Sequence, residues 1–143
     1  MAELVVTQEV NAPAQQVWDL LTDWSEHHRW MLLTRAEGGQ AVGESITAFT
    51  GIGPIGFRDT MTITVWEPPV RAVTRHTGKL VRGSGAFEVE ALGPDRSRVV
   101  WSEWIDLPLG LLGRLGWPLA RPVLRQLVQV SLRRLAGQVE GGR

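Results

Sequence analysis

The 143-residue chain contains no cysteine and no tyrosine. The lack of cysteine excludes disulfide bonds, thiolate catalysis and cysteine-ligated metals, and it is typical of a reducing compartment. The lack of tyrosine excludes any mechanism that needs a phenol. With only three histidines, a metal site would need carboxylates from several strands. We therefore expect neither a metal nor a cofactor.

Long apolar runs and strong charge are also missing. No stretch of about 18 uninterrupted apolar residues is present to span a bilayer, and no signal peptide precedes the first predicted strand. We therefore expect one cytoplasmic domain over residues 1–143, long enough to bury a core. The net charge is zero, and no zinc spacing or basic helix-turn-helix pattern accompanies the C-terminal arginines. We expect no nucleic-acid partner.

The segment Leu119–Val139 is the clearest regular element. Apolar or small side chains recur on one face at helical spacing, at Ala120, Leu124, Leu127, Val128, Ser131 and Leu135. Polar side chains follow at i, i+4 on the opposite face, at Arg121, Arg125, Gln129 and Arg133. An apolar face this wide predicts a long helix that other elements enclose.

The segment Leu107–Pro118 is apolar but is interrupted by three glycines and two prolines. This composition predicts an irregular loop that forms a lid or mouth over a cavity. Alternatively, the same segment forms an interfacial patch with Arg114 and Trp117, through which residues 107–118 make transient contact with a membrane.

Upstream of these segments the pattern is that of a sheet. Residues 4–10 read as a first strand, and two short helices follow up to about Trp30. Turn residues then separate six further runs, at roughly 32–37, 44–50, 57–66, 70–77, 83–92 and 98–107. Short turns between seven strands predict an antiparallel sheet, and mixed polar and aromatic positions predict a partly wet inner face.

The order of elements and three segments resemble the START-like superfamily, in its polyketide cyclase/dehydrase and lipid-transport (SRPBCC) branch. The segments are NAPAQQVWDLLTDWSEHHRWM at 11–31, GSGAFEVEALG at 83–93 and RVVWSEWIDLP at 98–108. The resemblance implies an α+β helix-grip fold, with a seven-stranded curved antiparallel sheet around the long C-terminal helix. It also implies a cavity for lipids, polyketides or terpenoid-like molecules, and places Phe87 and Trp101 where aromatase/cyclases have cavity aromatics.

Two titratable residues are candidate catalytic groups. By period-2 counting His76 shares an inner face with Ala72 and Thr74, where an imidazole could act as a general base. The alternative is a structural or surface histidine. Glu103 shares a face with Trp101, where desolvation would raise its carboxyl pKa and favour proton donation. Its alternative is a cross-strand ion pair with Arg58 or Arg82.

The candidate ligand-binding residues come from the same face assignments. They are Arg58, Thr62, Thr64, Trp66, Phe87, Trp101, Leu124, Val128 and Ser131. Arg58 would hold a ligand carboxylate or enolate, or would only extend its charged end to solvent at a sheet edge. Three functions remain open for a monomer or homodimer: a carrier of a hydrophobic small molecule, a cyclase or dehydratase that uses His76 or Glu103, and a membrane-apposed lipid-handling protein.

Overall fold

The computed structural model describes residues 2–78, 81–107 and 110–141. Seven strands and two α-helices are present, with a short 3-10 helix at Trp24–Arg29. The strands are β1 (Ala2–Val10), β2 (Thr34–Gly38), β3 (Ser45–Ile52), β4 (Ile55–Glu67), β5 (Arg71–Thr77), β6 (Arg82–Gly93) and β7 (Arg96–Ile105). The helices are α1 (Ala14–Leu21) and α2 (Leu111–Gly141).

All seven strands belong to one antiparallel sheet in the order β1-β7-β6-β5-β4-β3-β2. From β2 to β7, strands that are neighbours in the sheet are also consecutive in the chain, as is typical of antiparallel strands with short connections. β1 closes the far edge by pairing with β7. The sheet curls around α2, which confirms the predicted helix-grip fold.

The core lies on the concave side of the sheet, at the end where α1 and the second half of α2 pack against it. The largest cluster of buried apolar side chains joins β1 and β7 to both helices. It includes Val6, Val10, Val17, Leu21, Val99, Leu132 and Leu135. The helical period seen in the sequence produces this contact, since Val128, Ser131, Leu132, Leu135 and Val139 are all buried on one side of α2.

A β-bulge in β4 changes which side chains face inward. Ile63 pairs with Thr74 and Val65 pairs with Val73, so Thr64 is an extra residue in β4. Because side chains alternate with period 2, one extra residue reverses the faces on its two sides. Trp66 therefore points inward together with Ile63. The prediction from the sequence counted back from Trp66 with period 2 and without a bulge. It therefore assigned the wrong side chains to the inner face of β4 before Thr64.

The start of α2 also differs from the prediction. The helix begins at Leu111 rather than near Leu119, so most of Leu107–Pro118 is helical; Pro108 and Leu109 lie outside the described residues. The Arg114 amide closes the first turn on the Gly110 carbonyl (3.1 Å), and Gly110 adopts a φ of 53°. The prolines inside the helix each remove one backbone hydrogen bond without ending it.

Two leucine truncations on α2 test this orientation of the helix. Leu132 is 0% exposed and Leu119 is 79% exposed. Leu132→Ala should lower the free energy of unfolding by about 2–5 kcal/mol, because it leaves a cavity in the core. Leu119→Ala, the matched control, should change it by less than about 0.5 kcal/mol. Urea unfolding followed by tryptophan fluorescence measures both, and equal losses would show that the helix is rotated.

Candidate functional site

A cavity of about 460 Å³ lies between the concave face of the sheet and α2. Its wall is mainly aliphatic and aromatic, and includes Trp24, Ile46, Ala48, Met61, Phe87, Trp101 and Val128. Phe57 and Leu127 also line it and are 38% and 42% exposed, so the cavity reaches solvent beside them. This volume and lining are typical of small-molecule sites.

Three strands supply one hydrogen-bonded group of titratable side chains to the wall through their period-2 alternation. Ala72, Thr74 and His76 of β5 face the cavity, as predicted from the sequence. Glu103 of β7 lies on the cavity side with Trp101, again as predicted. On β4 the inward residues before the bulge are Phe57, Asp59 and Met61. Asp59 was not among the candidates, because the predicted face of β4 was reversed.

Asp59, His76 and Glu103 form one hydrogen-bonded unit, the carboxylate–histidine cluster. His76 donates from Nδ1 to Asp59 Oδ1 (2.9 Å) and from Nε2 to Glu103 Oε2 (3.1 Å). Trp101 Nε1 donates to the other oxygen of Glu103, Oε1, at 3.0 Å. The side chains in the cluster are largely shielded from solvent. Glu103 therefore pairs with His76, and not with Arg58 or Arg82.

A glycine on β6 makes the His76–Glu103 contact possible. His76 lies on β5 and Glu103 on β7, and these strands are two positions apart in the sheet, or roughly 9–10 Å. The positions on β6 that pair with His76 and Glu103 are Gly83 and Gly85. A Cβ built on Gly85 would lie 2.8 Å from Glu103 Oε1. The side chains of His76 and Glu103 meet across β6 because Gly85 has no side chain to block them. At Gly83, which has a φ of 116°, an added Cβ would instead meet the Trp104 carbonyl oxygen.

The cluster changes the protonation of His76. Burial by itself lowers the pKa of this imidazole, but the hydrogen bonds that it donates to Asp59 and Glu103 and the negative charges of these carboxylates outweigh it. The net effect raises the pKa from 6.5 to about 10. His76 is therefore an imidazolium at neutral pH. The predicted role of general base needs a neutral imidazole, so this role does not fit His76.

His27 shows the opposite behaviour in the same cavity. Its Nε2 donates to the Leu21 carbonyl oxygen (2.8 Å), and its ring packs edge-on against Trp24 and Trp30. Burial lowers its pKa to about 4, so it is neutral at pH 7. Sequence reasoning considered His27 only as a metal ligand. Its place inside a short helix between two tryptophans was the available signal that it is buried.

The predicted ligand-binding residues divide into two groups. Phe87, Trp101, Leu124, Val128 and Ser131 line the cavity, and their contact with a ligand stays a prediction. Ser131 also donates to the Leu127 carbonyl (2.8 Å) and accepts from the Leu32 amide (3.0 Å), which ties α2 to the segment before β2.

The other four candidates do not line the cavity. Arg58, Thr62 and Thr64 were assigned to the wrong face, since the inward residues of β4 here are Asp59, Met61 and Ile63. Trp66 does face inward, but its ring packs against two other tryptophans and fills the core beside the cavity. The distances between ring centroids are 5.3 Å to Trp18 and 6.3 Å to Trp24. The bulge explains the first correction, and the packing of Trp66 against two other tryptophans explains the second.

The predicted membrane contact through residues 107–118 concerns the first turns of α2. Leu111, Leu112 and Leu115 are exposed there, with the exposed Arg114 among them and Trp117 partly buried. No helix in the described residues is both long and apolar enough to cross a bilayer. The membrane contact stays a prediction.

The raised pKa of His76 predicts that the protein loses stability as the pH becomes alkaline. Because the folded-state pKa lies above the unfolded value, the charged histidine contributes stability that is complete below about pH 6.5. This contribution is lost as the pH rises through about 10. The free energy of unfolding should therefore fall between pH 7 and pH 10 by more in the wild type than in His76→Gln. Urea unfolding at several pH values measures this.

Gly85→Ala provides a second variant for the same test. It keeps all three charges but pushes a methyl group against the Glu103 carboxylate. The His76 pKa should be lower than in the wild type, as measured by NMR titration of the imidazole. An unchanged titration in Gly85→Ala, together with equal pH dependence in wild type and His76→Gln, would contradict the assigned cluster.

Comparisons with solved structures show which proteins share this fold. A protein from Thermus thermophilus is 17% identical over 99% of both chains, with a TM-score of 0.81. The Zhui aromatase/cyclase from a Streptomyces species is 19% identical over 97% of this chain and 93% of its own, with a TM-score of 0.74. A START superfamily protein from Mycobacterium smegmatis is 14% identical over 99% of both chains, with a TM-score of 0.76.

These identities are too low to transfer an activity, and they show the fold alone. No curated protein matches the chain. One family model matches residues 1–140, that of polyketide cyclase/dehydrase and lipid-transport proteins. This match covers nearly the whole chain and agrees with the START-like resemblance of its three sequence segments. The chain belongs to the polyketide cyclase/dehydrase and lipid-transport family.

Proposed function

We propose that this protein binds a hydrophobic or amphiphilic small molecule, such as a lipid, polyketide or terpenoid-like compound, in the cavity between the sheet and α2. The observation that carries the proposal is the cavity itself, because about 460 Å³ of space lined by apolar side chains remains inside a well-packed domain. Membership of a family described by polyketide and lipid ligands agrees with it.

A variant that fills the cavity tests this proposal. Ala48 lines the cavity on β3, whereas its neighbour Thr47 lies on the other face of the sheet. Ala48→Phe should weaken binding of a neutral hydrophobic dye, Nile red, by at least about tenfold, because the ring occupies the ligand volume. Thr47→Phe, the matched control, should bind the dye as the wild type does. Equal binding by both variants, or no binding by the wild type, would contradict the proposal.

Acid–base catalysis is a second candidate function, and the carboxylate–histidine cluster favours it. A charged histidine and two carboxylates beside an apolar cavity can move a proton without help from solvent. The related fold of an aromatase/cyclase suggests aldol closure of a poly-β-ketone chain as the reaction class.

The cluster could carry both proton transfers of such a reaction. The Asp59 carboxylate would remove a proton from a CH₂ group between two carbonyls. The enolate carbon would form a bond with a second carbonyl carbon, whose oxygen would take a proton from His76. The proton on Asp59 would then return to His76 through their hydrogen bond. In this scheme Asp59 is the base and His76 the acid.

The catalytic candidate predicts a selective loss of turnover. With a synthetic poly-β-ketone thioester, Asp59→Asn and His76→Gln should each lower the rate of cyclised product by about 10²–10⁴-fold. Nile red binding should survive, since neither change fills the cavity. Asp19→Asn, on the exposed face of α1, is the matched control and should keep the wild-type rate. If product formation is absent, or is equal in the wild type and the three variants, the catalytic candidate is wrong and only the binding function stands.

A further inference from the structure

The charges inside the cavity do not cancel. The carboxylate–histidine cluster holds two carboxyl groups and one imidazole, with a proton on each ring nitrogen. The net charge of the cluster is therefore one negative charge. Moving one of the two ring protons onto Asp59 or Glu103 would not change it. Within the described part of the chain, no lysine or arginine lines the cavity to balance it. The apolar wall therefore surrounds an uncompensated negative charge.

Asp59 carries the hydrogen-bond acceptor left over in this cluster. Both oxygens of Glu103 accept a hydrogen bond, from His76 and from Trp101. Asp59 accepts from His76 through Oδ1, and none of the described residues donates to Oδ2. An anionic oxygen in a low-dielectric cavity is stabilised strongly by a donor, and more so by a positively charged one.

The aromatic part of the wall favours the same kind of ligand. Trp24, Phe87 and Trp101 line the cavity, and the rings of Phe87 and Trp101 meet edge to face at 5.1 Å. The faces of aromatic rings attract cations electrostatically and do not attract a carboxylate. His27 adds no positive charge, since it is neutral at pH 7.

We propose that the cavity selects amphiphiles whose polar end donates hydrogen bonds, above all an amine, and that it discriminates against carboxylates and phosphates. The donor group would bind Asp59 Oδ2, while the apolar part lies along the aliphatic and aromatic wall. Asp59 is then the residue that determines specificity. This inference rests on the proposed binding function and adds the chemical class of the ligand's polar end.

Three probes with the same tail and different heads test the inference. Decylamine, decanol and undecanoate, which all carry a ten-carbon alkyl tail, compete with Nile red for the cavity at pH 7.4, and their apolar contributions cancel in the comparison. Decylamine should displace the dye at a concentration at least about tenfold lower than undecanoate, with decanol between them. The order should persist in 0.5 M NaCl, where surface attraction is screened.

Removing the negative charge provides the variant test. Asp59→Asn makes the cluster neutral overall, so the preference for decylamine over undecanoate should shrink to less than about threefold. Glu103→Gln makes the same change of charge and serves if Asp59→Asn does not fold. Asp19→Asn should keep the full preference.

The failures of the two proposals are distinguishable. If wild-type protein does not bind Nile red, or Ala48→Phe binds it equally well, the binding function is wrong. If Nile red binds in the cavity but undecanoate displaces it as well as decylamine does, the inference is wrong and the binding function stands. The inference is also overturned if both Asp59→Asn and Glu103→Gln retain the full wild-type preference.

Discussion

The rest of the site depends on one constraint, a charged histidine that must be paired on both sides inside an apolar cavity. An ion removed from water costs several kcal/mol unless its partners replace the lost hydration. His76 meets this requirement with Asp59 on β4 and Glu103 on β7. The contact with Glu103 crosses a whole strand, so β6 cannot carry a side chain at Gly85. A single buried charge thus determines residue choices on four neighbouring strands.

The two halves of α2 explain how one sheet supports both a core and a cavity. The second half presents Leu132, Leu135 and Val139 to the sheet and is closely packed. The first half carries exposed apolar side chains, from Leu111 to Val123. Close packing therefore ends near Val128, and the space beyond it is left to the cavity. One end of the molecule therefore provides most of the buried core, and the other end contains the cavity.

The sequence predicted the elements better than it predicted the site. Helical period located the buried face of α2, and strand alternation placed His76 and Glu103 on the inner face, because β5 and the relevant part of β7 pair without interruption. The same alternation failed on β4, since one extra residue at Thr64 reversed its faces. A bulge leaves no periodic signal of its own. Asp59 was therefore missed, and Arg58 was wrongly turned inward.

The beginning of α2 was mispredicted for a different reason. Proline and glycine indicate the ends of helices in an average environment, yet here Pro118 and Pro122 lie inside one. Each costs a hydrogen bond, and the neighbouring turns still hold the helix. The pairing of His76 with Glu103 was also beyond the sequence, although the glycines at positions 83 and 85 were visible. A glycine inside a strand is typical of a bulge or a close approach. Only the strand order shows that two charged side chains meet there.

His27 and His76 show how the fold assigns different chemistry to one residue type within one cavity. His27 has a single carbonyl acceptor, and burial lowers its pKa to about 4. His76 has two carboxylates, and its pKa rises to about 10 despite burial. At neutral pH the first is an uncharged ring among aromatic side chains, and the second belongs to a cluster with net negative charge. An amphiphile in this cavity therefore meets an uncharged region and a charged region. Its orientation then follows from electrostatics, because an apolar wall alone would hold it equally well either way round.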